Sequence, residues 1–295
     1  MTTTISVVIP ARNRAAVIGR AIACANTQTF RPIEIIVVDD GSDDDGATIA
    51  AAQAARSEAV PIRIVPLDKR AGAPNARNIG AAAATGEWIA LLDSDDGWDE
   101  TKLASLVPLM DDDVVAVFSD TVFLDGKGGG TRKFGPETDD PDGLLYENTL
   151  GGCSAAMIRR QTFLDIGGFD VALPSCQDWD MWLKLRQAGR IALSHEPLTQ
   201  YYFDAGDRIS RNPQSVVKGH ELLYRRILSD YAPADRVGDI RRFQPFHLAQ
   251  TLAYFTGVRK GTFRAAIRNL IWPHPRTTRR SALHLLATSW ILKRA

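Results

Sequence analysis

The sequence predicts an α/β protein in which a mostly parallel central sheet is flanked by helices. Between residues 5 and 119, short apolar runs alternate with helical segments of roughly ten residues. The runs are apolar throughout, as in strands that are buried on both faces. The chain has 295 residues, 45% hydrophobic and 24% charged, a composition typical of a soluble globular protein.

Polar clusters follow three of the predicted strands. Strands are predicted at 5–9, 33–38, 62–66, 88–92 and 114–119, with a further strand at 150–159. Helices are predicted at 15–27, 48–57, 74–84, 103–110 and 177–187. The clusters lie at 10–14, 39–45 and 93–96. Because parallel α/β sheets bind ligands at the carboxyl ends of their strands, these clusters predict a binding site at one sheet edge.

Charge and cysteine content predict the organisation and location of the chain. Lys+Arg and Asp+Glu number 35 each, but basic residues dominate 212–295 and acidic residues dominate 1–211. This asymmetry predicts a site-bearing domain, 1–211, and a basic, mainly helical extension, 212–295. The three cysteines form no CxxC pair, so we expect a cytoplasmic protein without a disulfide framework or zinc site. No signal peptide or membrane-spanning run is expected.

The acidic segment Asp93-Ser94-Asp95-Asp96 has two interpretations. It forms a turn after a strand, or Asp93 and Asp95 reach one divalent cation from alternate positions. Hard carboxylate ligands suit Mg²⁺ or Mn²⁺, and Asp96 is expected to turn away or to cap the next helix. The segment 39–42 likewise forms a turn or binds a nucleobase or sugar. Two such clusters together favour a nucleotide site.

Several segments occur together in the order typical of one family. They are Val8-Ile9-Pro10-Ala11-Arg12-Asn13-Arg14, Val37-Val38-Asp39-Asp40-Gly41-Ser42, Asn75-Ala76-Arg77-Asn78-Ile79-Gly80, Leu92-Asp93-Ser94-Asp95-Asp96, Gly167-Gly168-Phe169-Asp170 and Gln177-Asp178-Trp179-Asp180. Over roughly residues 4 to 211 the chain resembles the inverting glycosyltransferases of family 2, which have the Rossmann-like GT-A fold. The resemblance implies transfer from a nucleotide-sugar, most commonly a UDP-sugar, to a glycan or lipid-linked acceptor. Guanine and thymine donors also occur.

The resemblance implies a role for each matching residue. The nucleotide pocket would comprise Pro10, Ala11, Asn13, Arg14, Asp40, Arg77, Asp93 and Ser94. Asp40 would meet the base, and Arg77 would lie near the base or the diphosphate; taken alone, Arg77 is a helix-surface residue. Asp93 would reach the ribose or the metal. Asp95 would coordinate the cation, Mn²⁺ or Mg²⁺, that bridges the two phosphates.

Asp178 is the general base that the resemblance implies. The family usually has a Glu-Asp pair at this position, and here the pair is Gln177-Asp178. Taken alone, Asp178 could cap the helix that follows. Asp180, in the same helical turn, is the alternative base. A positioned general base contributes about 10²–10⁴-fold to a rate, so its removal should be easy to measure.

The segment after the presumed base departs from the family. Relatives often carry a His there that helps to hold the metal or diphosphate, and 201–211 contains none. Asp204 is therefore predicted as a metal ligand, and Arg208 or Arg211 as a phosphate ligand. His195 lies further upstream and is expected to be structural.

Aromatic residues near the acids have alternative roles. Trp98 either belongs to the core or stacks on a sugar. Helical spacing places one of Trp179 and Trp182 in the core and the other at an acceptor cleft. Gln177 and Trp179 are therefore included as candidate phosphate or acceptor contacts.

The basic extension 212–295 also has two interpretations. It packs on the core and shapes the acceptor cleft, or its amphipathic helices attach to an anionic membrane on the inner face. No nucleic-acid-reading motif is present, so nucleic acid is not expected as a partner.

Two other functions remain open. A nucleotidyltransferase shares acids at a sheet edge but normally has a Gly-rich basic loop after its first strand, which residues 10–13 do not match. A non-catalytic nucleotide- or sugar-binding relative would explain Gln177 and the missing His. Intact Asp93, Asp95 and Asp178 argue against that alternative.

Overall fold

A computed structural model describes residues 3–124, 142–202 and 212–255. The chain divides into two compact units. The first comprises Met1–Asp140, Thr149–Val171 and Gln177–Gly206, and the second comprises Pro141–Asn148, Ala172–Cys176 and Asp207–Ala295. The second unit thus takes in two short segments that precede residue 212, in addition to the basic extension.

The first unit is an α/β structure. Its strands are β1 (Ile5–Ala11), β2 (Glu34–Asp39), β3 (Ile62–Pro66), β4 (Trp88–Leu91), β5 (Gly97–Trp98), β6 (Val114–Leu124), β7 (Ala156–Arg159) and β8 (Arg190–Tyr202). Its helices are α1 (Ile18–Asn26), α2 (Ala47–Ala54), α3 (Ala73–Ala83), α4 (Lys102–Leu106), α5 (Arg160–Asp165) and α6 (Gln177–Ala188).

The strands form one mixed sheet in the order β3-β2-β1-β4-β7-β6-β8-β5. β3, β2, β1 and β4 are mutually parallel, as predicted. β7 is antiparallel to both of its neighbours, and β5 is antiparallel to β8. The order reverses at β1, which has β2 on one side and β4 on the other. Such a reversal opens a crevice at the carboxyl ends of the strands, where ligands bind in sheets of this kind.

Several strands differ from the sequence prediction. The strand predicted at 150–159 is present only as β7, because Cys153–Ala155 form a 3₁₀ helix, and β5 was not predicted. β6 continues past the predicted end at 119. β1 runs to Ala11, because Pro10 and Ala11 stay in register with β2.

β8 was not predicted. Its pairing with β6 jumps from Ser194 to Thr199, so the residues between them bulge out of the sheet. His195 lies on this bulge with a side chain that is 61% exposed and with Nδ1 4.0 Å from Asp120 Oδ1, so its expected structural role stays a prediction.

Helix α3 packs very closely on the sheet. A Cβ atom added to Gly80 would collide with the Val8 side chain and lie 3.2 Å from Val38 Cγ2. Both valines are fully buried in the parallel half of the sheet. The absence of a side chain at Gly80 therefore fixes the distance between α3 and β1.

The second unit is helical where it is described. α7 (Pro213–Arg226) begins after Asn212, whose side chain accepts the Gln214 and Ser215 N–H groups at 3.0 and 3.1 Å. α8 (Val237–Phe255) follows a short π-helical turn. The helical character expected from Ser215 onward is confirmed as far as residue 255. The predicted last helix, 281–294, lies outside the described residues. Of the helices that the structure describes, none combines the length and apolar character needed to cross a bilayer.

Candidate active site

Side chains bind the loops after β1 and β2 to each other. Asn13 has a φ of 52°, a conformation that Asn adopts more readily than most residues. Its Oδ1 accepts the Asp43 N–H at 3.0 Å, and its Nδ2 donates to the Asp43 carboxylate. Its own N–H donates to Ser42 Oγ at 3.0 Å, and Ser42 in turn donates to the Asp39 carboxylate. Asn13 therefore joins the two loops into one wall.

Asp40 joins the same wall to the start of α3. Its Oδ1 accepts the N–H groups of Ala71 and Gly72 at 2.6 and 3.0 Å, and the residue is buried. A carboxylate is favoured there because helix N-termini carry unsatisfied N–H groups and a positive dipole end. Its contact with a base stays a prediction. Nearby, the Arg14 N–H donates to Thr48 Oγ1 at 2.7 Å.

Arg77 lies against the end of β4. Its Nη2 donates to Asp93 Oδ1 at 2.5 Å, and the two side chains are 9% and 30% exposed. Its guanidinium carbon is 5.5 Å from the centre of the Phe169 ring, and Nε has no partner among the described residues. Burial lowers the pKa of Arg77, but the Asp93 charge raises it and the net direction is upward. Arg77 is therefore a buried permanent cation, and the helix-surface alternative is wrong.

The acidic segment is held from both sides. Asp96 is buried and turns away from the other acids, as one of the two alternatives predicted, with Oδ2 accepting from Ser154 Oγ at 2.6 Å. The same hydroxyl accepts the Asp93 N–H at 2.9 Å. On the other side, Arg20 Nη2 donates to the Asp95 carbonyl at 2.8 Å. Sequence patterns did not indicate Arg20 or Ser154, since each meets the segment only through tertiary packing.

Asp93 and Asp95 supply hard oxygen ligands at the end of β4. Ser94 between them is buried, and Asp95 is half-buried. Within the described ranges, no three His, Cys, Asp or Glu side chains converge on a point that could hold a metal. Mg²⁺ is usually held by one or two carboxylates, with substrate phosphates and water completing its shell. The donor set therefore fits a cation shared with a diphosphate. Asp204, Arg208 and Arg211 lie outside the described residues.

Asp178 lies in the first turn of α6 and is half-buried. Its Oδ1 accepts the Trp179 N–H at 2.8 Å. Burial raises the pKa of Asp178, the Trp179 N–H and the Arg77 charge oppose the rise, and the Asp93 charge adds to it. The structure therefore brings three predicted residues, Arg77, Asp93 and Asp178, within electrostatic reach of one another. Gln177 begins the same helix.

Two expectations around Asp178 are corrected. Asp180 is completely buried and its Oδ2 is 3.4 Å from Lys184 Nζ, so it cannot reach a substrate as the alternative base. Trp179 and Trp182 are 2% and 0% exposed, so both belong to the core and neither presents a ring to an acceptor. Trp98 is also a core residue, and its Nε1 donates to a backbone carbonyl at 2.8 Å.

The same fold occurs in solved glycosyltransferases. TarS 1–349 of S. aureus, in complex with UDP-GlcNAc, is 16% identical with a TM-score of 0.68, covering 99% of this chain and 92% of that chain. The mannosyltransferase PcManGT of Pyrobaculum calidifontis, in complex with GDP-Man and Mn²⁺, is 19% identical with a TM-score of 0.65, covering 100% and 81%. The fold, with its acids at the carboxyl edge, is that of the GT-A glycosyltransferases.

The family is identified by sequence. The model of glycosyl transferase family 2 matches residues 6–167, and the chain belongs to that family. The putative teichuronic acid biosynthesis glycosyltransferase TuaG of Bacillus subtilis is 30% identical, with 76% of this chain and 88% of that protein aligned. The UDP-Glc:alpha-D-GlcNAc-diphosphoundecaprenol beta-1,3-glucosyltransferase WfaP of Escherichia coli is 26% identical, with 74% and 82% aligned. A glycosyltransferase of Rickettsia conorii is 30% identical, but the match spans 34% of its length. The predicted enzyme class, glycosyltransferase, is confirmed.

Proposed function

We propose that this chain transfers a sugar, with inversion, from a UDP-sugar to a hydroxyl of a glycan or lipid-linked acceptor. The carrying observation is the pairing of Arg77 with Asp93 at the end of β4, with Asp178 within electrostatic reach of both. The donors bound to the solved relatives and the donor and acceptor in the name of the E. coli relative support this proposal. We further propose a role in cell-envelope or exopolysaccharide synthesis.

Opposite charge would position the donor's diphosphate. Arg77 stays cationic and faces the end of β4, where it would balance charge on the diphosphate. Asp93 and Asp95 would hold Mn²⁺ or Mg²⁺, and such a cation neutralises the negative charge that grows on a departing diphosphate. The wall formed by Asn13 and Asp40 would receive the base.

Asp178 would act as the general base. Its carboxylate takes the proton from the acceptor hydroxyl, whose oxygen attacks the anomeric carbon from the face opposite the diphosphate. The bond from that carbon to the diphosphate oxygen breaks, and the electron pair leaves with the diphosphate. A single displacement of this kind inverts the anomeric configuration. A raised pKa suits a base, because the carboxylate accepts a proton more readily.

Turnover in an Asp178→Asn variant tests the mechanism. We expect about 10²–10⁴-fold lower UDP-sugar turnover, with UDP affinity unchanged. Asparagine keeps the oxygen that accepts the Trp179 N–H, so the fold should be retained. Asp165→Asn is the matched control, since Asp165 is an exposed carboxylate on α5. Wild-type turnover in Asp178→Asn would remove Asp178 as the base.

Calorimetry tests the donor and the metal. UDP, GDP and dTDP are titrated with and without Mn²⁺ into the wild type and Asp95→Ala. We expect UDP to bind the wild type only when Mn²⁺ is present. In Asp95→Ala, the affinity for UDP should be lost, with or without Mn²⁺. Binding of GDP or dTDP in place of UDP would mean that the donor is a GDP-sugar or a dTDP-sugar. If folded protein binds none of them, the non-catalytic alternative is favoured.

Contact of the basic extension with a membrane is a further prediction. The membrane contact proposed for the basic extension rests largely on residues 256–295, which lie outside the described part of the chain. Contact with the inner face of a membrane therefore stays a prediction. The match to glycosyl transferase family 2 over residues 6–167 argues against the nucleotidyltransferase alternative.

A further inference from the structure

Lys102 is a lysine buried in the first unit. It is 0% exposed, and its ammonium contacts four oxygen atoms. Ser119 Oγ and Thr199 Oγ1 lie at 2.8 and 2.7 Å, and the carbonyl oxygens of Ser154 and Ala155 lie at 3.0 and 3.3 Å. A buried cation costs several kcal/mol unless such partners compensate for lost water, so its retention calls for an explanation.

The two carbonyl groups belong to the end of a short 3₁₀ helix, Cys153–Ala155. Carbonyl groups at a helix end lack partners within the helix and carry partial negative charge, so they favour a cation. The Ser154 carbonyl also accepts Trp98 Nε1–H at 2.8 Å. Lys102 and Trp98 thus fix the backbone of Ser154.

The Ser154 hydroxyl faces the acidic segment. It accepts the Asp93 N–H at 2.9 Å and donates to Asp96 Oδ2 at 2.6 Å. Ser154 is 2% exposed and Asp96 is 4% exposed, so water does not substitute for these bonds. Burial lowers the pKa of Lys102 well below its usual value, and the nearby Asp96 carboxylate opposes that fall. One serine therefore connects the buried ammonium to both ends of the segment that carries Asp95.

We propose that Lys102 and Ser154 are positioning residues that hold the Asp93–Asp96 backbone so that the Asp93 and Asp95 carboxylates share one cation. The ammonium fixes the Ser154 backbone, and the Ser154 hydroxyl fixes both ends of the acidic segment. The inference rests on the proposed function, because the shared cation is part of it.

Two buried serines provide a matched comparison. Ser119 and Ser154 are 3% and 2% exposed, and both contact the ammonium, Ser119 through its hydroxyl. Among the described contacts, only the Ser154 hydroxyl also bonds to the acidic segment. Ser154→Ala should therefore disturb the segment, whereas Ser119→Ala should only lower stability. Lys102→Met should change the segment in the same direction as Ser154→Ala, because it removes one donor to the Ser154 carbonyl and leaves that of Trp98.

Two measurements separate positioning from general stability. The first is amide hydrogen exchange in a peptide covering residues 92–99, and the second is the Mn²⁺ concentration that half-saturates UDP binding. We expect Ser154→Ala and Lys102→Met to raise the exchange rate at residues 92–99 and the half-saturating Mn²⁺ concentration by about tenfold each. The loss of a buried hydrogen bond worth about 1.4 kcal/mol would have this effect. We expect Ser119→Ala to lower the Tm to a similar degree and to change neither.

Each result decides a separate claim. Unchanged exchange at 92–99 in Ser154→Ala, or equal effects in Ser119→Ala, would overturn the inference. If Lys102→Met does not fold, Ser154→Ala alone decides. If the wild type binds no UDP with Mn²⁺, the proposed donor fails, while the exchange comparison still decides whether Lys102 and Ser154 hold the segment.

Discussion

The side-chain amide of Asn78 forms two hydrogen bonds with the backbone of Phe169. Its Oδ1 accepts the Phe169 N–H at 2.8 Å, and its Nδ2 donates to the Phe169 carbonyl at 2.9 Å. The Phe169 ring lies beside Arg77, which pairs with Asp93. The pair Asn78–Phe169 thus connects α3 to the loop after α5 and supports the buried cation of the site.

Asn78→Ala should weaken both stability and donor binding. It leaves the N–H and carbonyl of the buried Phe169 without these partners, which costs about 1–3 kcal/mol for a buried group. We expect that loss in urea unfolding, with UDP affinity about tenfold lower because Arg77 loses its support. Gln161→Ala is the control, since its amide is exposed and bonds within α5. Wild-type UDP affinity in Asn78→Ala would show that the Phe169 contact does not support Arg77.

Adjacent glycines should respond differently to alanine. Gly167 and Gly168 both have positive φ, 78° and 65°, so either substitution costs about 1–2 kcal/mol of backbone strain. An added Cβ meets nothing within 4 Å at Gly167, but lies 2.5 Å from Asn78 Oδ1 at Gly168. Gly168→Ala should therefore destabilise by about 1–3 kcal/mol more than Gly167→Ala in urea unfolding.

A double variant checks the cause of that difference. If the extra cost arises from collision with the Asn78 amide, Gly168→Ala combined with Asn78→Ala should be less destabilising than the two changes added together. If the free-energy losses of the two single variants simply add in the double variant, the extra cost of Gly168→Ala does not arise from the Asn78 amide.

The pH dependence of turnover should report Asp178. Only its ionised form can accept a proton, and burial raises its pKa above that of an exposed aspartate, about 3.9. The acidic limb of kcat/KM should therefore lie above that value. Arg77 opposes the rise, so Arg77→Gln should move the limb further upward. A limb that stays in place in Arg77→Gln would contradict the electrostatic coupling.

Acid should destabilise the second unit. His247 is half-buried with Nδ1 2.7 Å from the Tyr224 hydroxyl, and partial burial together with the nearby His220 lowers its pKa from 6.5 to about 3. Burial also lowers the pKa of His220, whose Nδ1 is 3.2 Å from Cys176 Sγ. The folded state keeps His247 neutral while the unfolded chain takes up a proton. Stability is therefore complete above pH 6.5 and falls toward pH 3, by up to roughly 1.4 kcal/mol per pH unit.

His247→Gln should remove part of this pH dependence. Hydrogen exchange of peptides from α8, compared at pH 7, 6 and 5, would measure it, because exchange there reports opening of this unit. His195→Gln is the control, since His195 is exposed on the β8 bulge. Equal acid sensitivity in His247→Gln and the wild type would mean that other groups carry the effect.

Sequence patterns predicted the parallel half of the sheet and the grouping of the acids. The strands that became β1, β2 and β4 are continuous apolar runs, and parallel strands bring their carboxyl ends to one edge. The family resemblance implied that Arg77 and Asp93 belong to one nucleotide pocket, and the structure pairs their side chains, while their roles stay predictions. β8 was missed because His195, Glu196 and Pro197 interrupt its apolar pattern, and these residues form the exposed bulge.

The supports of the site could not be predicted, because they join residues that are distant along the chain. Lys102 meets Thr199 across 97 positions and the Ser154 carbonyl across 52. In the sequence Lys102 is an ordinary basic residue at a helix start, and Ser154 and Asn78 are ordinary polar residues. Only the folded structure shows that they are buried against functional segments.

The contact between Gly80 and Val8 has a consequence for protein engineering. Arg77 lies one helical turn before Gly80. The close packing of α3 against β1 therefore sets how far the Arg77 guanidinium extends toward Asp93. Redesign of donor choice can vary the exposed loop residues Asp68, Lys69 and Arg70, which do not pack between α3 and β1. A larger residue at position 80 would displace α3 and Arg77 together, so libraries for new donors should hold Gly80 and Val8 constant.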